Sequence, residues 1–207
     1  VKPSAIRRIL FLGNSITLHG PKADIGWAGN WGMAASSEDK DYVHLVTGAI
    51  AQHTGSMPEM MIRNIADFER NYADYDVESQ MKDFFAFDPD LVVLAIGENV
   101  PALGSEDAKA QFKAGVMKTL GCALAKRHPL VVVRSSFWAD PAKDEVLRIA
   151  CQEADAILVD AGPIGREEAN MARSERSFIH DGVAAHPGDQ GMKALGDAIV
   201  QAVLHRR

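Results

Sequence analysis

Residues 9–13, 60–64, 91–97 and 130–134 are each a short, nearly unbroken apolar run, and a weaker one covers 156–160. None alternates apolar with polar residues, the pattern of a strand with one wet face. They therefore predict strands covered on both faces, which is the setting of a parallel sheet. Between the runs the apolar spacing lengthens to that of helices. Residues 41–53 put Tyr42, Val46, Ala49 and Ile50 on one face, and residues 107–126 space Phe112, Val116, Leu120 and Leu124 four apart. Asp140-Pro141 reads as an N-cap and first-turn pair opening a helix that runs through Cys151. Gly188-Asp189 opens the last helix, with Met192, Leu195, Ile199 and Val203 inward. This repeated alternation predicts an open α/β sheet with helices on both sides. The stretch 18–40, rich in Gly, Trp, Ala and Ser, follows neither period and reads as a long functional loop.

With 207 residues, the chain is expected to form one domain spanning 1–207. A net charge of −6 argues against nucleic acid or an anionic membrane as the main partner. The longest apolar run is far too short to span a bilayer. Cys122 and Cys151 lie in apolar helical stretches and read as free thiols. The expected compartment is the cytoplasm or, given a start at Val1 that fits removal of a leader, the periplasm or exterior. Oligomeric state is left open.

Ligands of open α/β sheets bind at the carboxyl ends of strands. Here those ends carry Gly13-Asn14-Ser15, then Arg63-Asn64, then Gly97-Glu98-Asn99, and His186 stands just before the last helix. A serine hydroxyl becomes a competent nucleophile when a base takes its proton, and histidine titrates in the right range to do so. Amide donors stabilise the oxyanion that follows, by about 3 kcal/mol for one donor. No spacing of histidines, cysteines and carboxylates suggests a zinc site, and no G-x-G-x-x-G or P-loop follows the first strand.

Three motifs carry a resemblance. "GNSIT" (13–17) resembles the first block of the SGNH hydrolases, also called GDSL esterases/lipases. "AIGENV" (95–100) resembles their third block, and "DGVAAHPGDQG" (181–191) their last, which holds the catalytic histidine. The resemblance implies a flavodoxin-like three-layer α/β/α sandwich around a mostly parallel five-stranded sheet, and a serine hydrolase of esters without metal or cofactor. It implies Ser15 as nucleophile and amide donor, Asn99 as side-chain donor to the oxyanion, and His186 as general base and then acid. The substrate would be a small-molecule or carbohydrate ester, with short acyl groups and sugar acetates favoured.

The chain departs from that pattern at three places. Asn14 stands where Asp is usual. The second block, near 63–72, has no glycine, so the backbone N–H of Ala66, Phe68 or Glu69 would have to complete the oxyanion hole. Val183 occupies the position of the acid three residues before the histidine. Asp181 is the candidate to replace it, with a Ser-His dyad or a carboxylate from elsewhere, such as Glu98, as alternatives. Asn14, Gly97 and Glu98, together with Trp27 and Trp31 of the long loop, are the candidate substrate-binding residues. His19 is a further candidate for substrate contact, and His180 is the rival base. Arg63 and Arg134 are expected to pair with carboxylates rather than bind substrate. Two other readings stay open: a non-catalytic binding module on the same fold, and an O-acyltransferase.

Overall fold

The structure is a computed structural model that describes residues 2–205. Its sheet contains β1 (Arg8–Gly13), β2 (Glu59–Asn64), β3 (Leu91–Ala95), β4 (Leu130–Arg134) and β5 (Ile157–Val159), in the order β2-β1-β3-β4-β5. Every pairing is parallel. This is the flavodoxin-like order, and its topological switch point lies between β1 and β3.

Side chains of a strand alternate between faces, so each central strand feeds two cores. Ile9, Phe11, Leu91, Val93 and Val132 face one side. There they pack with α1 (Tyr42–Thr54), which contributes Tyr42, Val46 and Ile50. Leu10, Leu12, Val92, Leu94 and Val133 face the other side. The short helices α2 (Ala66–Asn71), α3 (Val77–Gln80) and α4 (Lys82–Ala86), and the long α5 (Glu106–Leu124) and α6 (Pro141–Ala154), cover that second face. The chain then forms α7 (Gly162–Arg166), α8 (Asp181–Ala184) and α9 (Asp189–Leu204). Helix α9 returns to lie beside α1, with Leu195, Ile199 and Val203 in the first core. The result is the expected three-layer arrangement.

Local chemistry sets the helix starts. Asp41 caps α1 by accepting from the His44 N–H, Ser105 caps α5, and Asp140 caps α6 ahead of Pro141. Ser105 and Glu106 thus open the helix read from residue 107. Two strand expectations are corrected. β2 is an edge strand, exposed or half-buried throughout, with Met60 40% exposed, because one flank has no neighbour. β3 stops at Ala95, because Gly97 adopts a φ of +129°, which breaks the ladder. Both cysteines are free, Cys151 buried and Cys122 half-buried. Burial alone pushes the Cys151 thiol up to about 12.

The long stretch 18–40 is folded rather than loose. Its bridges, His19 to Trp31 and Lys22 to Trp27, close it on itself. A small apolar cluster of Trp27, Met33, Ala34, Ala172 and Val183 fastens it to α8 and to the segment before it. Among the described residues, no helix is long and apolar enough to cross a membrane.

Candidate active site

Strand β1 runs out at Gly13, and the next turn is wound around Asn14. The Asn14 carbonyl accepts the Thr17 and Leu18 N–H groups at 2.9 Å, and its side-chain Oδ1 accepts the Ile16 N–H at 3.2 Å. A Cβ at Gly13 would lie 2.0 Å from Thr17 Oγ1, so only glycine allows the turn to close this tightly. Ser15 sits at the apex. Its own N–H meets no acceptor among the described residues.

The Ser15 hydroxyl is 2.9 Å from His186 Nε2. The other ring nitrogen, Nδ1, is 2.6 Å from the Gly182 carbonyl oxygen. A carbonyl can only accept, so Nδ1 carries the hydrogen and Nε2 presents its lone pair to the serine hydroxyl. The edge of the ring packs on Trp138, with centroids 5.2 Å apart and planes at 83°. His186 is nearly buried, and burial pulls its pKa below the usual imidazole value, against the raising effect of the Gly182 carbonyl. The neutral base is therefore the resting form at neutral pH.

Asp181 does not reach the ring. It lies in the first turn of α8 with an exposed side chain. A helical turn brings the residue four positions earlier beneath a side chain, and four before His186 is Gly182. Glu98 does not take the place either, since its carboxylate faces Arg134, Asn14 and the Phe137 N–H. His180 is spent on capping α8, its Nδ1 accepting the Gly182 N–H at 3.1 Å. Val183 is buried against Trp27 and Met33 in the apolar cluster.

Behind the serine lies a buried ionic network. Glu98 pairs with fully buried Arg134 through Nη1, as expected for that arginine, and accepts the Phe137 N–H at 2.8 Å. Burial pushes the Glu98 carboxyl up, but Arg134 and these donors outweigh it and hold the pKa low. Glu69, also fully buried, is pushed up by burial and then by Glu98, against the donors around it. Asn14 Nδ2 bridges the two carboxylates, 2.7 Å from Glu98 and 3.1 Å from Glu69. An aspartate there would set a third carboxylate against two others, which explains the Asn14 departure. Asn14 and Glu98 thus sit behind the serine and do not line the cavity over it. So does Gly97, whose N–H donates to Glu69 at 2.6 Å and whose carbonyl accepts from Lys143.

A cavity of about 450 Å³ opens over Ser15 and His186. His19, Lys22, Ile25 and Met33 of the long loop line it, as do Asn64, Ala66, Asp67, Arg70 and Asn99. Trp27 and Trp31 do not line it. They pack edge-on at 5.7 Å and spend their indole N–H groups on the His19 and Ala35 carbonyls, so they brace the loop. Arg63 is also turned away, its guanidinium lying over the Phe84 ring at 5.5 Å. The three amides expected to complete the oxyanion hole are already used. The Ala66 N–H donates to Asn64 Oδ1 at 2.9 Å, and those of Phe68 and Glu69 donate to the Ile65 carbonyl. In that turn only the Asp67 N–H lacks an acceptor among the described residues, and Asp67 lines the cavity. Among the described residues, no group of three or more His, Cys, Asp and Glu is arranged to hold a metal ion.

No protein-family model and no curated protein matches the sequence. Solved structures do. An acetyl xylan esterase, AlAXEase, superposes with a TM-score of 0.62 at 17% identity, covering 95% of this chain and 99% of that one. A putative GDSL-like lipase from Bacteroides uniformis gives 0.59 at 11% identity, covering 96% and 95%. A family two carbohydrate esterase from Clostridium thermocellum gives 0.55 at 12% identity, over 94% of this chain and 62% of that one.

The fold is that of the SGNH hydrolases. On it, the first and third block residues occupy neighbouring strand ends at the switch point, and the last block arrives from across the sheet to meet them. In the stretch 63–72, α2 sends Glu69 inward and brings Asp67 and Arg70 to the cavity.

Proposed function

We propose that this protein is a serine esterase that cleaves short acyl esters, with acetylated carbohydrates as the favoured substrates. The observation that carries the reading is the aligned relay from Ser15 Oγ to His186 Nε2 and from His186 Nδ1 to the Gly182 carbonyl. His186 takes the serine proton as Oγ attacks the ester carbonyl. The imidazolium that forms is steadied by the Gly182 oxygen and by the negative field of Glu98, which favours the charged ring. The oxyanion meets the Ser15 N–H and the Asn99 side-chain amide, with the Asp67 N–H as the donor from the second block. Each such donor contributes about 3 kcal/mol to the transition state. His186 then gives its proton to the leaving alcohol, and water attacks the acyl-enzyme by the same route in reverse. The machinery is a Ser-His dyad whose imidazole is oriented by the main chain.

The cavity volume lies within the ordinary range for small-molecule sites. Its mix of apolar side chains (Ile25, Met33, Val183) and polar ones (His19, Asn64, Arg70, His180) suits a small acyl group on a polyhydroxylated alcohol. Similar solved structures, of an acetyl xylan esterase and of family two carbohydrate esterases, support the same substrate class. The test is hydrolysis of p-nitrophenyl acetate and release of acetate from acetylated xylan by wild type, Ser15→Ala and His186→Ala. Turnover by wild type that drops by ~10³-fold or more in both variants is expected. Rates that do not depend on Ser15 would refute the esterase and leave a binding module as the reading.

A further inference from the structure

The residue that ties the serine turn to the oxyanion amide is Glu69, an acidic residue in the middle of a six-residue helix. Its side chain is buried, and every neighbour within hydrogen-bond reach is a donor. Oε1 accepts the Gly97 N–H at 2.6 Å, the Asn99 N–H at 3.4 Å and Asn14 Nδ2 at 3.2 Å. Oε2 accepts Asn99 Nδ2 at 2.8 Å and Asn14 Nδ2 at 3.1 Å. A protonated carboxyl would have to donate, and this surround offers it only N–H groups, so these contacts favour the carboxylate against the burial and the Glu98 charge that raise its pKa.

An asparagine amide has two nearly isosteric ends. The Asn99 NH₂ carries two hydrogens: one meets the Glu69 carboxylate, and the second remains for an oxyanion at the cavity that Asn99 lines; with the amide turned over, a carbonyl oxygen would take its place and repel that oxyanion. Glu69 decides between them, because a carboxylate at 2.8 Å accepts from the NH₂ end and repels the oxygen end. The Arg70 guanidinium, 3.3 Å from Asn99 Oδ1, favours the same choice from the other side.

We infer that Glu69 is a positioning residue for catalysis: its buried carboxylate fixes the Asn99 amide with the N–H toward the reacting carbonyl, while anchoring Asn14 and the Gly97 turn. The inference rests on the esterase reading above for its kinetic consequence, but not for its geometry. Glu69→Gln is the informative variant, being nearly isosteric. One carboxylate oxygen becomes an NH₂ that must face donors, so Asn99 loses its preferred end.

The experiment measures kcat and KM with p-nitrophenyl acetate for wild type, Glu69→Gln, Asn99→Ala and the double variant, with thermal unfolding of each. Glu69→Gln is expected to lower kcat by roughly 10- to 100-fold with KM changed by less than about 3-fold, since the lost donor acts in the transition state. In the Asn99→Ala background the same substitution is expected to lower kcat by several-fold less than in wild type, because the part of its effect that passes through Asn99 is gone and only its hold on Asn14 and Gly97 remains. Losses that multiply, an unchanged kcat, or a loss carried by KM would overturn the inference. If Glu69→Gln does not fold, Glu69→Asp keeps the charge and withdraws it by one methylene; the same dependence on Asn99 is expected, and its absence counts equally against. Side-chain amide NMR reads the geometry without turnover. The Asn99 NH₂ resonance should sit downfield in wild type and move in the Glu69 variant, and a resonance that does not move would overturn the inference even in an inactive protein. An inactive wild type whose amide signal does shift sinks the esterase reading alone.

Discussion

Asn14→Asp would restore the residue usual in the first block and, by the geometry here, should damage the protein. The new carboxylate would stand where Asn14 Nδ2 now lies, 2.7 Å from one Glu98 oxygen and 3.1 Å from Glu69. At an effective dielectric constant of ~20 those repulsions cost about 6 and about 5 kcal/mol. That sum is comparable to the whole stability of a domain, ~5–15 kcal/mol. The cheaper route is for the carboxyl cluster to take up one proton. Holding an aspartate of ordinary pKa ~3.9 neutral at pH 7 costs about 4 kcal/mol, so protonation wins. The folded-state pKa of the added group is then raised above its unfolded value. The deficit nearly vanishes below about pH 4 and grows by about 1.4 kcal/mol per unit as pH rises, until the folded protein also loses the proton. Urea unfolding of wild type and variant at pH 5 and pH 7 checks this. The expected deficits are about 1.5 and about 4 kcal/mol. A deficit equal at the two values, or none at all, would refute the account of why Asn14 is needed.

Asp181→Asn is expected to leave kcat within about 2-fold of wild type, whereas loss of a true triad aspartate costs ~10⁴-fold; steady-state hydrolysis of p-nitrophenyl acetate reads the difference. The acid limb of kcat/KM should fall below the ordinary imidazole pKa of ~6.5, since burial depresses that of His186 and only the neutral ring accepts the serine proton. Trp138→Ala, which uncovers one side of that ring, should shift the limb upward toward ~6.5; a limb that stays put would show that the indole does not contribute to the burial.

The sheet was legible because β1, β3 and β4 are sequestered on both faces, and sequestered strands leave continuous apolar runs. β2 reads the same way in sequence yet lies at an edge, since apolar content does not say which neighbours a strand will have. That Ser15, Asn99 and His186 meet at one cavity was legible from residue type and from their place at strand ends or before α9. The partner of the imidazole was not. Gly182 acts through its main-chain carbonyl, which every residue possesses, so the search for a side chain led to exposed Asp181. Glu69 was hidden for a different reason. The sequence pointed only to its main-chain N–H, while the fold shows that its carboxylate turns inward to Asn14 and Asn99. The tryptophans of the long loop misled by composition: Trp27 and Trp31 support the wall of the cavity instead of forming its surface.

The imidazole and the group that aims it come from one continuous stretch of five residues, Gly182 to His186. In a triad whose acid is a side chain, a single nucleotide change can remove that acid and leave a misdirected base. Here the guiding atom belongs to the polypeptide itself, so no substitution at position 182 deletes it. Only a change in the path of the chain, such as an insertion within α8 or a proline that unwinds it, can separate the two. The pair is inherited as a unit. The side chain at position 181 takes no part in this contact, so the aim of the ring does not depend on its identity.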